Sequence, residues 1–130
     1  MSGGNNNTVN RFRRDGSNAG AFPVGAGSEG VAFDGMNIWV ANYESGTVTK
    51  LRASDGTVLG TFNVPSPSQI AFDGKGIWVA TPDTGVVYLL RPSDGVQIGV
   101  FGAAVSPAGI AFDGANMWVA ASGSNIVYKF

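Results

Sequence analysis

With 130 residues, 44% of them hydrophobic and 13% charged, the chain is too apolar for a disordered segment and suits one domain with its own core. A formal net charge of −1 excludes a strong field toward nucleic acid or an anionic membrane. The sequence contains neither histidine nor cysteine, which excludes a histidine general base, a Ser-His-Asp triad, a His/Cys metal site and any disulfide.

Met1–Asn7 (MSGGNNN) has neither an apolar core nor a basic start and reads as a flexible tail, not a signal peptide. No apolar run approaches the roughly 18 residues that suggest a membrane span. The Gly- and Asn-rich, charge-poor composition leans toward an extracellular or cell-surface setting. Thr8–Arg13 and Ala19–Val24 are the first two strand signals, joined through Asp15-Gly16.

From Val31 onward a longer unit takes over. VAFDGMNIWVA (31–41) returns as IAFDGKGIWVA (70–80) and as IAFDGANMWVA (110–120), which sets Trp39, Trp78 and Trp118 at intervals of 39 and 40 residues. A period of that length is the mark of a repeat architecture. Each full unit contains four strand signals, a to d; in the central one these are Gln69–Phe72, Ile77–Ala80, Val86–Arg91 and Val96–Phe101. Their Val, Ile, Phe, Trp and Tyr content is strand chemistry, and no segment has a helical period. Thr8–Arg13 matches Thr47–Arg52 at an offset of 39, so the first two signals are a strand c and a strand d. The last unit runs a, b and then Ile126–Phe130 as a strand c. The reading is thirteen strands in a tail (1–7), a half unit (8–30), two full units (31–69 and 70–109) and a partial unit (110–130).

Asp34-Gly35, Asp73-Gly74 and Asp113-Gly114 join a to b, while Asp15-Gly16, Asp55-Gly56 and Asp94-Gly95 join c to d. Asp-Gly between apolar runs is a hairpin signal, because glycine takes positive φ and aspartate bonds its own backbone. These aspartates read as turn formers, with a carboxylate array for metal or acid–base work as the alternative. Asp73→Asn keeps the turn propensity and is expected to be nearly silent.

Four hairpin-connected strands per repeat of about 40 residues suit a β-propeller blade. Residues 8–130 resemble the blades of the YVTN, NHL and streptogramin-lyase-like propellers, through IAFDGxxIWVA, the TVTKL-type strand and SDGxxLGTF. The resemblance implies an all-β propeller with about three four-stranded blades per chain. Rings close with roughly four to eight blades, so the ring is expected to be completed by self-association, as a closed dimer of six blades or, alternatively, an open filament. Streptogramin-lyase-like enzymes use histidine, so that activity carries over to no position of this sequence.

The expected function is a non-enzymatic scaffold, binding or structural, that completes its blades between chains. A lectin-like sugar binder and a fragment of a larger propeller enzyme are the alternatives. No cofactor, metal, nucleic-acid partner or membrane span is expected; the expected partner is a second copy, and any small-molecule or protein ligand stays unidentified. Trp39, Trp78, Trp118, Phe33, Phe72 and Phe112 are expected in the core, with sugar stacking on the indoles as the alternative role. Arg11, Arg13 and Arg14 read as solvated protection of a strand edge. The a–b and c–d turns are nearly alike in every unit, whereas the b–c and d–a loops differ. Loops on a rigid scaffold carry function, so the candidate ligand residues are Tyr43, Glu44, Asp83, Glu29 and Gln69 on the varied-loop face.

Overall fold

The computed structural model of the chain describes residues 7–103, 106–123 and 125–130. Residues 1–6 of the expected tail, two residues of the last d–a loop (104–105) and residue 124 of the last b–c loop lie outside the described residues. The described residues form thirteen strands, in the number and order that the repeat implies.

A two-stranded sheet comes first, from β1 (Thr8–Phe12) and β2 (Asn18–Pro23). Two four-stranded sheets follow: β3 (Ser28–Phe33), β4 (Asn37–Asn42), β5 (Thr47–Arg52) and β6 (Val58–Asn63), then β7 (Ile70–Phe72), β8 (Ile77–Thr81), β9 (Val86–Leu90) and β10 (Gln97–Gly102). A three-stranded sheet of β11 (Pro107–Phe112), β12 (Met117–Ala121) and β13 (Ile126–Lys129) ends the chain. Within each sheet the strands pair antiparallel in sequence order. The first strands β3, β7 and β11 approach one another, which makes them the inner strands of three adjacent blades.

Glycine is required where the turns tighten. Gly74 takes φ +93°, a conformation that side chains rarely adopt. Gly95 takes φ +72°, and a Cβ there would stand 2.4 Å from the Phe62 ring of the preceding blade. That turn is therefore a seat for an aromatic ring as well as a chain reversal.

The core lies between blades. Trp39, Val48 and Val64 on one face of the first full blade pack on Ile70, Ile77, Val79 and Leu90 of the next. Trp78, Val87 and Ala103 pack in the same way on Met117 and Val119. Two of the three tryptophans stack on a strand-d phenylalanine of their own blade, Trp39 on Phe62 at 5.8 Å and Trp78 on Phe101 at 5.4 Å. Burial of this apolar surface is the main stabilising term of the array.

Four of the six residues expected in the core are less covered than expected. Phe33 is 55% exposed, because the two-stranded sheet before it has no strands a and b to cover it. Phe112 is also exposed and Phe72 only half-buried, since both end strand a beside its turn, at the rim of the interface. Trp118 is 39% exposed against 0% for Trp39 and 8% for Trp78, as no described blade follows it. Strand a also begins earlier than expected in two blades: β3 starts at Ser28 and β11 at Pro107, each through a bulge, which takes Glu29 out of the loop and into a strand. Asn7, assigned to the tail, is fixed by its carbonyl, which accepts the Val24 N–H at 2.8 Å.

Candidate functional site

The aspartates of the a–b turns do more than reverse the chain. Asp73 Oδ1 accepts the Lys75 and Gly76 N–H groups at 2.8 and 2.7 Å, and Oδ2 accepts the Trp78 indole Nε1–H at 2.7 Å. Asp34 holds Met36, Asn37 and Trp39 in the same way, and Asp113 holds Ala115, Asn116 and Trp118. The carboxylate locks the tryptophan that the blade turns toward its neighbour. Because Asp and Trp recur five residues apart in all three units, the signal lay in the sequence; a reading confined to turn propensity passes over it.

Partial burial works to raise the carboxyls of Asp34 and Asp73, but the indole and backbone N–H donors outweigh it and hold both below the ordinary value. The Trp118 indole, with the Asn116 and Ala115 N–H groups, lowers Asp113 from 3.8 to about 2. A folded value below the unfolded one contributes stability above the unfolded value, and that stability is lost as pH falls through the folded one. The urea midpoint is therefore expected to lose no support from these groups between neutral pH and about 5, and to fall as pH drops from about 4 toward 2. A decline already complete at pH 5 would contradict this assignment.

At the varied-loop end, the d–a and b–c loops of one blade dock on each other. The Tyr43 N–H donates to the Gly27 carbonyl at 2.9 Å, and the Ala26 N–H donates to Ser45 Oγ at 2.6 Å. The Tyr43 hydroxyl then donates to the Asp83 carboxylate on the b–c loop of the next blade. That bond raises the Tyr43 phenol above its ordinary value, with the Asp83 and Glu29 charges acting in the same direction. Three of the five candidate residues thus come together: Tyr43 and Asp83 bonded, with Glu29 close enough for its charge to act on the phenol. Glu44 instead lies against Gly27, where an added Cβ would stand 2.7 Å from its Cγ. Gln69 is exposed at the start of the inner strand, and its carbonyl accepts the Ala80 N–H. Among the described residues no group of three or more Asp or Glu side chains is arranged to hold a metal ion.

An apolar cleft of about 310 Å³ lies between the two-stranded sheet and the first full blade. Its lining includes Val9, Phe22, Val31, Ile38 and Leu51, with Arg11 at its edge. Arg11 is not simply a solvated edge residue. Its Nη1 donates to the carbonyls of Ala53 and Ser54 at 3.3 Å, and its guanidinium lies 5.7 Å from the centre of the Phe22 ring. One repeat later Lys50 does the same: Nζ donates to the Pro92 and Ser93 carbonyls at 2.6 and 3.5 Å and lies 5.3 Å from the centre of the Trp39 ring. The equivalence shows what the first interface lacks. Phe22 stands where Phe62 stands, and no indole lies beside it.

No protein-family model matches the chain, and no curated protein matches it. Solved structures do. The chain is similar to a streptogramin B lyase structure (16% identity, TM-score 0.76), of which it covers 48% with 96% of its own length. It is similar to BamB from Moraxella catarrhalis (14%, TM-score 0.79), matching 95% of this chain and 38% of that one. Sqt1 of Saccharomyces cerevisiae gives 16% identity and a TM-score of 0.78 over 97% of this chain and 39% of that one. At such identities the likeness concerns the fold, and the chain has the β-propeller fold that its repeat implies. It spans less than half the length of these solved chains. Similar structures include enzymes, such as the lyase and a dihydro-heme d1 dehydrogenase, as well as proteins that carry no enzyme name.

Proposed function

We propose that this chain is a non-enzymatic β-propeller module that associates with further copies of itself, completing between chains the blades that a single chain leaves partial. One observation carries the reading: the same repeat position is buried inside the array and open at its end. Val127 is 60% exposed, whereas Val48 and Val87, its counterparts, are fully buried, and Trp118 departs from Trp39 and Trp78 in the same direction. An apolar blade face beside an unpaired strand edge favours pairing with another chain.

The contact is head-to-tail, so it closes into a ring if the rotation permits and otherwise propagates. Two chains supply six blades, within the usual range for closed propellers, and a filament is the open form of the same contact. With no histidine or cysteine in the sequence, the Tyr43–Asp83 end of the array is better suited to a binding surface than to acid–base chemistry.

The test is the solution mass of the full chain by light scattering across a concentration series. The expected species lies near twice the 13.3 kDa chain mass, or grows with concentration as a filament. A mass that stays at one chain throughout the series would overturn the reading.

A further inference from the structure

We infer that the cleft beside Phe22 is the socket for Trp118 of a second copy, delivered when β13 of that copy pairs with β2 in place of β1. This rests on the self-association proposed above and identifies which surfaces meet, in which register, and which strand gives way.

The first support is the duplication of one strand at the two ends. Asn7-Thr8-Val9-Asn10-Arg11-Phe12 and Asn125-Ile126-Val127-Tyr128-Lys129-Phe130 share Asn, Val and Phe at the first, third and sixth places and a cation at the fifth. Their offset is 118 residues, three repeats. Asn7 and Asn125 both take positive φ, 52° and 56°, as do Gly46 and Gly85 at the same place in the full blades. β13 therefore presents the backbone that β1 presents. In the first full blade Thr47, Val48 and Thr49 pair with Asn63, Phe62 and Thr61. In the same register Ile126, Val127 and Tyr128 meet Pro23, Phe22 and Ala21, the residues that Thr8, Val9 and Asn10 now face.

The second support is that the side of the socket formed by β2 and the first full blade, which the exchange leaves in place, is already built. Gly56 meets the Phe22 ring as Gly95 meets the Phe62 ring, so Phe22 is seated before any indole arrives. Val31, Ile38 and Leu51 floor the cleft where Ile70, Ile77 and Leu90 cover Trp39. Trp118 comes with its turn formed, its indole held by Asp113 at 2.6 Å and the Lys129 ammonium 5.7 Å from its ring centre. In the composite interface Lys129 takes the place of Arg11 and reaches the Ala53 and Ser54 carbonyls, as Lys50 reaches Pro92 and Ser93.

The third support decides which strand is displaced. β13 brings Ile126 and Tyr128 where β1 has Thr8 and Asn10, while Val127 replaces Val9 and Lys129 replaces Arg11. Phe130 is committed to its own interface, with its ring 5.8 Å from Trp78 and 5.6 Å from Phe101. Phe12, its counterpart, is half-exposed and outside the apolar clusters. The exchange keeps every apolar contact of β13 and replaces polar positions by apolar ones, so β1 yields.

The chain has no cysteine, so introduced cysteines report one contact without background. The test joins Pro23→Cys with Ile126→Cys, both on exposed positions of strands at opposite ends of the array. Directly opposed residues of an antiparallel pair lie within disulfide reach. Mild oxidation of the full chain is expected to give covalently linked oligomers, which either single variant does not form as disulfide-linked ladders. In parallel, Trp118→Glu is expected to weaken association about thirtyfold or more, as a central aromatic anchor does, without loss of single-chain folding, since Trp118 is exposed there. If the chain associates but the double variant does not cross-link and Trp118→Glu leaves the mass unchanged, the socket assignment is overturned and self-association stands. If the unmodified chain never leaves one-chain mass, both fall.

Discussion

Trp78→Ala is expected to destabilise the fold by about 3–5 kcal/mol, the cost of removing a large buried aromatic and leaving a cavity. Trp78 is the junction of the central interface: its ring stacks on Phe101 at 5.4 Å, lies 5.8 Å from Phe130, and packs among Val87, Met117 and Val119. Truncation removes the aromatic bulk that joins the last full blade to the three-stranded sheet, and it leaves Asp73 without its indole donor. Chemical denaturation of the variant should show a lower midpoint and, if the last sheet detaches first, an early phase. Trp118→Ala provides the contrast. In a single chain it should change the midpoint far less, because nothing described covers that ring. Equal losses from the two substitutions under dilute conditions would mean that exposure does not measure their packing.

The next largest effect is expected at Asp73, where Asp73→Ala should cost about 2–4 kcal/mol, because charge-assisted hydrogen bonds contribute more than neutral ones and three donors lose their acceptor. Asp73→Asn, nearly silent if the residue were only a turn former, should instead cost about 1–2 kcal/mol. Its amide oxygen still accepts the Lys75 and Gly76 N–H groups, but its NH₂ then opposes the Trp78 indole N–H, and two donors face each other. Asp55→Asn is the control. Asp55 accepts the Thr57 N–H and an exposed Arg52 pair, with no indole, and an exposed pair is worth little. If Asp73→Asn and Asp55→Asn prove equal in thermal denaturation, the indole bond contributes nothing measurable.

The periodic part was legible in the residues alone: thirteen strands, their hairpin turns, and the propeller architecture. Strand and turn signals are local, and Asp-Gly between alternating apolar runs acts over a few residues. The recurrence of Trp39, Trp78 and Trp118 also indicated an interface residue, since no single blade can bury such a ring by itself. Which copies of a repeated residue are covered follows from how the blades pack and could not be read from the repeat. Trp118 and Phe33 carry the same local signals as their counterparts, yet no described blade follows Trp118 and only a two-stranded sheet precedes Phe33, and burial depends on the neighbour, not on the segment. The roles of Arg11 and Lys50 were likewise out of reach of local reading, because their carbonyl acceptors lie 42 and 43 residues away on the next blade. The Tyr43–Asp83 bond joins loops 40 residues apart and depends on the angle between two blades, which no stretch of either loop encodes.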